Sequence, residues 1–135
     1  MGKLLLISSS AFLIFSIGAA LWLTQGNQIK NPPISLTRSD QGEGEVTATA
    51  TWEKVQGAVF TLAFNTHSID LTAFNVLEDV VLRGGSEEIK PSSWEENPGS
   101  SHHRGGKLTF LKIPSARFQL VVKNLAGVSE RILEF

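Results

Sequence analysis

The sequence predicts an all-β chain: an Ig-like antiparallel β-sandwich of about seven strands, preceded by an N-terminal transmembrane or signal helix. Three observations carry this expectation. Apolar and polar residues alternate in several short runs. Turn residues recur every ~8–12 positions from Glu45 onward. No long helical period appears beyond residue 24, which disfavours bundles and parallel α/β folds.

The N-terminus gives the chain its expected address. Met1-Gly2-Lys3 is followed by Leu4 to Leu23, 20 residues without a charge. That length spans a hydrocarbon core of ~30 Å as a helix. Lys3 keeps the start on the cytoplasmic side, and Trp22 suits the interface. Gly18-Ala19-Ala20 offers a small-residue cleavage site, so two readings stand: an uncleaved anchor over 1–24, or a signal peptide cut near Ala20 with a secreted product. Both place the rest of the chain on the periplasmic or extracellular side. Residues 25–44, with Asn31-Pro32-Pro33 and Ser39-Asp40-Gln41-Gly42, are too poor in apolar residues to order themselves, and are expected to form a flexible linker.

The domain is expected over 45–135. Val46, Ala48, Ala50 and Trp52 alternate with Thr47, Thr49 and Thr51 as a first strand, and Gln56-Gly57 turns the chain. Phe60, Leu62 and Phe64 mark a second strand, broken by Asn65 to Ser68. Leu71, Phe74 and Leu77 are spaced for a short helical turn. Val80 to Leu82 form a third strand, stopped by Gly84-Gly85. Ile89 to Pro91 suit a short edge strand, where Pro is tolerated. The stretch from Trp94 reads as a polar loop that ends in the strand signal Lys107-Leu108-Thr109-Phe110. Phe118, Leu120 and Val122 form another strand, Asn124 to Gly127 turn, and Arg131 to Phe135 close the domain with Leu133 and Phe135 on one face.

Composition narrows the function. The 12 Lys and Arg are scattered singly in a chain of net charge −1, so no nucleic-acid surface is expected. The absence of Cys excludes disulfides, thiolate zinc sites, iron–sulfur clusters, blue copper and a Cys nucleophile. No G-x-S-x-G elbow is present, and the nearness of His67, Ser68 and Asp70 in sequence does not make a triad. Glu87-Glu88 and Glu95-Glu96 read as solvated charges. No enzymatic activity and no small-molecule substrate are expected.

The three His remain. His67 lies in the break after the second strand, and His102 and His103 lie in the Gly-flanked loop. Imidazole is the commonest ligand for copper and zinc. Two loops at one end of a sandwich could join these three nitrogens, with Asp70, Glu95 or Glu96 as a further ligand and Trp94 as a shield. The plainer reading leaves His67 in a turn and the His pair in solvent. A further alternative makes the loops a contact surface for an envelope partner, with no metal; Trp94 is then either a hot spot or a buried lid, and the lid is favoured.

Phe64-Asn65-Thr66-His67-Ser68-Ile69-Asp70-Leu71, Val80 to Arg83, Ser93-Trp94 and Gly99 to Phe110 together resemble a group of small exported prokaryotic β-sandwich proteins sharing T-H-S, a Trp and G-x-x-H-H-x-x-G before a strand. The resemblance covers most of Val59 to Phe110. That group has no established activity, so the resemblance implies only that His67, Trp94, His102 and His103 act as one unit.

Overall fold

Period-two alternation becomes a two-layer structure in the computed structural model, which describes residues 34–40 and 44–135. The chain runs through β1 (Ser35–Asp40), β2 (Val46–Glu53), a 3₁₀ turn (Lys54–Gln56), β3 (Val59–Thr66), the one-turn helix α1 (Val76–Asp79), β4 (Val80–Gly84), β5 (Glu87–Ile89), β6 (Ser93–Glu96), β7 (His103–Thr109), β8 (Gln119–Leu125) and β9 (Val128–Glu134). All pairings are antiparallel. One sheet has the order β1-β2-β3-β7-β6, the other β5-β4-β8-β9. This is a β-sandwich, and the described residues belong to one unit, 33–135. The expected segment 1–24 lies outside the described residues. Among the described residues no helix is long and apolar enough to cross a membrane.

The inner faces follow the sequence pattern. Val46, Ala48 and Ala50 of β2 are buried, as are Phe60, Leu62 and Phe64 of β3. Register sets small against large: Ala48 opposes Phe64 and Ala50 opposes Leu62. Leu82, Leu108, Leu120, Val122 and Leu133 complete the core from the remaining strands. Each such side chain contributes about 1.5–3 kcal/mol when fully buried. One end of the core is aromatic. Phe118 stacks on Phe135 at 5.6 Å, Trp52 meets the edge of Phe118 at 5.0 Å, and Phe60 meets Phe110 at 5.8 Å. The Trp52 indole N–H donates to the Gly57 carbonyl at 2.7 Å, so the ring packs without stranding its polar atom.

The outer face of the smaller sheet is covered by its own charges. Val81 and Val121 point away from the core yet are buried. The Lys123–Glu88 pair reaches from β8 across β4 to β5, and the Arg83–Glu130 pair from β4 across β8 to β9. Arg83 and Lys123 follow Val81 and Val121 by two residues, so they stand on the same face of the sheet. The β8–β9 hairpin closes through Ala126 and Gly127, both at positive φ (54° and 77°), as a right-twisted two-residue turn requires.

Three expectations need correcting. Ser35–Asp40, assigned to the linker 25–44, is strand β1. Its S-L-T-R-S-D sequence lacks an apolar stripe because it is an edge strand held by hydroxyls and cations. Thr37 bonds Thr51 between hydroxyls at 2.8 Å, Ser39 bonds Thr49 at 3.0 Å, and Arg38 donates to the Glu134 carbonyl at 2.8 Å. Arg131, with its side chain only 1% exposed, donates to Asp40 at 2.8 Å and to the Val46 carbonyl at 2.9 Å, joining β9 to both β1 and β2. The strand count rises accordingly, to nine among the described residues. Finally, the helical turn sits later than the apolar spacing suggests. Asn75 caps α1 by accepting from the Leu77 N–H at 3.2 Å, and Leu77 itself is exposed.

Candidate functional site

The stretch Trp94 to Phe110, expected to be largely a loop, is a hairpin. Ser93–Glu96 form β6 and pair with Gly106 to Thr109 of β7, while His103 opposes Asn65 of β3. Strand geometry then separates the two adjacent His. Asn65 and His103 face outward from the larger sheet, whereas Phe64 and Arg104 are on the inner side. His102, one residue before β7, also turns inward and is half-buried.

The inner side holds a clamp on the segment between β3 and α1. Thr66 N–H donates to the His102 carbonyl at 3.0 Å, and Leu71 N–H to the Ser101 carbonyl at 2.8 Å. The His102 ring bonds the Ile69 carbonyl through Nδ1 at 2.8 Å. A carbonyl only accepts, so Nδ1 carries the proton, and in the neutral ring the lone pair is on Nε2. Arg104 reaches further. Its Nη1 donates to the Leu71 and Phe74 carbonyls at 2.6 and 2.8 Å, while Nε and Nη2 take both oxygens of Glu96 at 2.6 and 3.0 Å. Glu96 also accepts from the Trp94 indole N–H at 3.3 Å. The Arg104 guanidinium, and after it the Trp94 N–H, hold the Glu96 carboxyl below the usual glutamate range.

Within the segment, the Thr66 hydroxyl accepts from Ser68 and Ile69 N–H groups, both at 3.2 Å. Asp70 accepts from the Thr72 N–H at 2.9 Å and the Thr72 hydroxyl at 2.6 Å, and these bonds lower its pKa. Glycines let the strands close. A Cβ on Gly106 would meet the Glu95 carbonyl oxygen at 2.2 Å and the Trp94 ring at 2.9 Å, and one on Gly99 would meet the His103 carbonyl oxygen at 2.3 Å.

The expected site residues therefore fall into separate places. His67 is exposed in the turn after β3. His103 is exposed on the outer face, with Nδ1 bonded to the Asn65 amide oxygen at 3.0 Å. His102 is engaged by Ile69, and Glu95 is in an exposed pair with Lys107. Trp94 is half-buried against the core, as a lid rather than a projecting anchor. Among the described residues no group of three or more His, Asp or Glu is placed to hold a metal ion. The three-His set is not assembled, because adjacent residues entering a strand diverge. Sequence reasoning missed Arg104, whose only local signal is a cation wedged between the His pair and Gly105-Gly106.

Between the clamped segment and the hairpin lies a surface groove of about 390 Å³, lined by Thr72, Glu96, Gly99, Ser100, Ser101 and Arg104. Its walls are hydroxyls, backbone and one ion pair, which suits hydrogen bonding to a polar ligand surface. No family model, curated protein or solved structure matches this chain.

Proposed function

We propose that this chain is a non-enzymatic, membrane-tethered module that presents a rigid loop surface to a protein partner in the cell envelope. The observation that carries this reading is the Arg104 clamp. It fixes Leu71, Phe74, Glu96 and, through Glu96, Trp94 in one arrangement beside the groove. A surface fixed before contact lowers the ordering cost of binding. The extracytoplasmic address rests on Lys3 and the apolar run Leu4 to Leu23. The Ig-like reading of the sandwich is supported by its connectivity. β2, β3, β7 and β6 share one sheet, β5, β4, β8 and β9 the other, and the chain changes sheet after β3, β5 and β7.

The test is crosslinking in intact membranes, followed by quantification of the captured partner. Ser101→Arg and Thr72→Arg place bulk and charge in the groove and are expected to reduce capture about tenfold. Thr61→Arg, on the exposed outer face of β3, is the control and should leave capture unchanged. Equal capture by all four proteins would remove the groove from the interface.

A copper or zinc ion is the second reading. It is favoured by one feature: His102 and His103 both commit Nδ1 to an oxygen acceptor and retain Nε2, the arrangement usual behind a metal-bound imidazole. Since the two rings diverge, the exposed His103 is the candidate ligand, with His67, exposed in the turn after β3, as the further His of the expected set. Calorimetric titration with each metal should then show binding that weakens below neutral pH, as protons compete. Undiminished heat from the His67→Ala and His103→Ala chains would end this reading.

A further inference from the structure

We propose that the opposite end of the sandwich, where the chain enters β1, rests on the lipid surface and inserts Ile34, Val55 and Leu111 among the headgroups. The inference rests on the reading of Leu4 to Leu23 as a membrane anchor. Five large apolar side chains are exposed among the described residues, and the three most exposed are Leu111 at 87%, Val55 at 67% and Ile34 at 66%. Isolated exposed apolar residues are ordinary, but these three are not scattered.

Register puts them at one end. Ile34 precedes Ser35, which pairs with Glu53; Val55 sits in the turn that follows Glu53; and Leu111 comes two residues after Thr109, which pairs with Val59. Their strands are the neighbours β1, β2, β3 and β7. Three inter-strand gaps of about 4.8 Å set the three side chains within about 15 Å across the sheet. The groove and the clamped segment lie at the other end, where β3 finishes and β7 begins.

Chain length points to the occupant. Only ten residues, 24–33, separate Leu23 from Ile34. Fully extended they reach at most about 35 Å, which bounds the distance of this end from whatever holds Leu4 to Leu23. Charge then indicates how contact is made. Lys54, Lys112 and Arg117 at this end are matched by Glu53, Glu87 and Glu134. Arg38 also lies beside Glu134. With charges of both signs at this end, attraction to anionic headgroups is not taken as the driving term, and insertion is expected into zwitterionic bilayers as well.

The chain contains no Cys, so single probes can be placed cleanly. Val55→Cys, Leu111→Cys and His67→Cys variants of the full chain are labelled with an environment-sensitive fluorophore and reconstituted into phosphatidylcholine vesicles. Nitroxide-bearing lipids are expected to quench the probes at 55 and 111 several-fold more than the probe at 67, with a blue shift at 55 and 111 only. Vesicle flotation separates the two layers of the inference. A chain that floats but shows equal, weak quenching at all three positions overturns the docking and leaves the anchor intact. A chain that does not float overturns both. Energy transfer between labels on different chains, without lipid quenching, would show a second copy covering this end and would also overturn the proposal.

Discussion

Arg104→Ala is expected to destabilise the domain by about 2–4 kcal/mol and to release the segment from Thr66 to Phe74. Four donor contacts vanish together, two to the carbonyls of Leu71 and Phe74 and two to Glu96. The guanidinium side chain is 12% exposed, whereas Glu96 is 40% exposed. Water therefore rehydrates the carboxylate readily, and most of the loss is assigned to the two carbonyls and to the packing of the Arg stem. Urea denaturation measures the change, and amide hydrogen exchange at Ile69 and Leu71 locates it. Arg104→Lys should recover little, because one ammonium cannot serve two carbonyls and a carboxylate in a fixed fork. Acid provides an independent reading. The Glu96 pKa is lower folded than unfolded, so its contribution is complete above the ordinary glutamate range and is lost as pH falls through the folded value. The stability gap between wild type and Arg104→Ala should narrow below about pH 4. A variant that unfolds with the wild type, and exchanges Leu71 no faster, would remove Arg104 from the account of this loop.

Gly106→Ala is expected to cost about 3 kcal/mol through a different cause. The added Cβ would stand 2.2 Å from the Glu95 carbonyl oxygen and 2.9 Å from the Glu96 Cα, so β6 must move as backbone, taking Trp94 with it. Gly105→Ala provides the comparison. Its nearest neighbour would be the Leu62 carbonyl oxygen at 3.0 Å, a contact relieved by a few tenths of an ångström. Thermal unfolding of the two variants should therefore differ clearly, with Gly105→Ala the milder and the near-ultraviolet signal of Trp94 altered only in Gly106→Ala. Equal, small shifts would mean that β6 does not lie against Gly106.

These two residues also show where the sequence stops being informative. Strands buried on one face announce themselves: Val46 to Trp52, Phe60 to Phe64 and Phe118 to Val122 alternate because the core demands it. β1 and β6 do not, for they are edge strands whose partners supply the order. Leu36 is the one large aliphatic residue in β1, and Ser93-Trp94-Glu95-Glu96 carries a single core residue. The polar site was legible as a collection of costly side chains but not as an arrangement. His102 meets Ile69, and Arg104 meets Leu71, each 33 residues away. No local period encodes such a pairing. The same limit applies to the His pair, whose divergence depends on where β7 begins.

The way β1 is mounted has a mechanical consequence. All six of its residues pair with β2, and the chain enters the strand through Ile34. Tension transmitted from that side, with the far end of the sandwich held, acts parallel to the strand. It must slide β1 past β2 as a unit, loading the whole ladder at once, rather than peel one bond after another. Arg131 grips Asp40 at the far end of the strand, and Arg38 grips the Glu134 carbonyl midway, so sliding also shears two cationic cross-ties. Resistance to pulling is governed by the unfolding rate, not by equilibrium stability. An edge strand written almost entirely in Ser, Thr and charged residues thus serves as the joint through which the domain would withstand a tug.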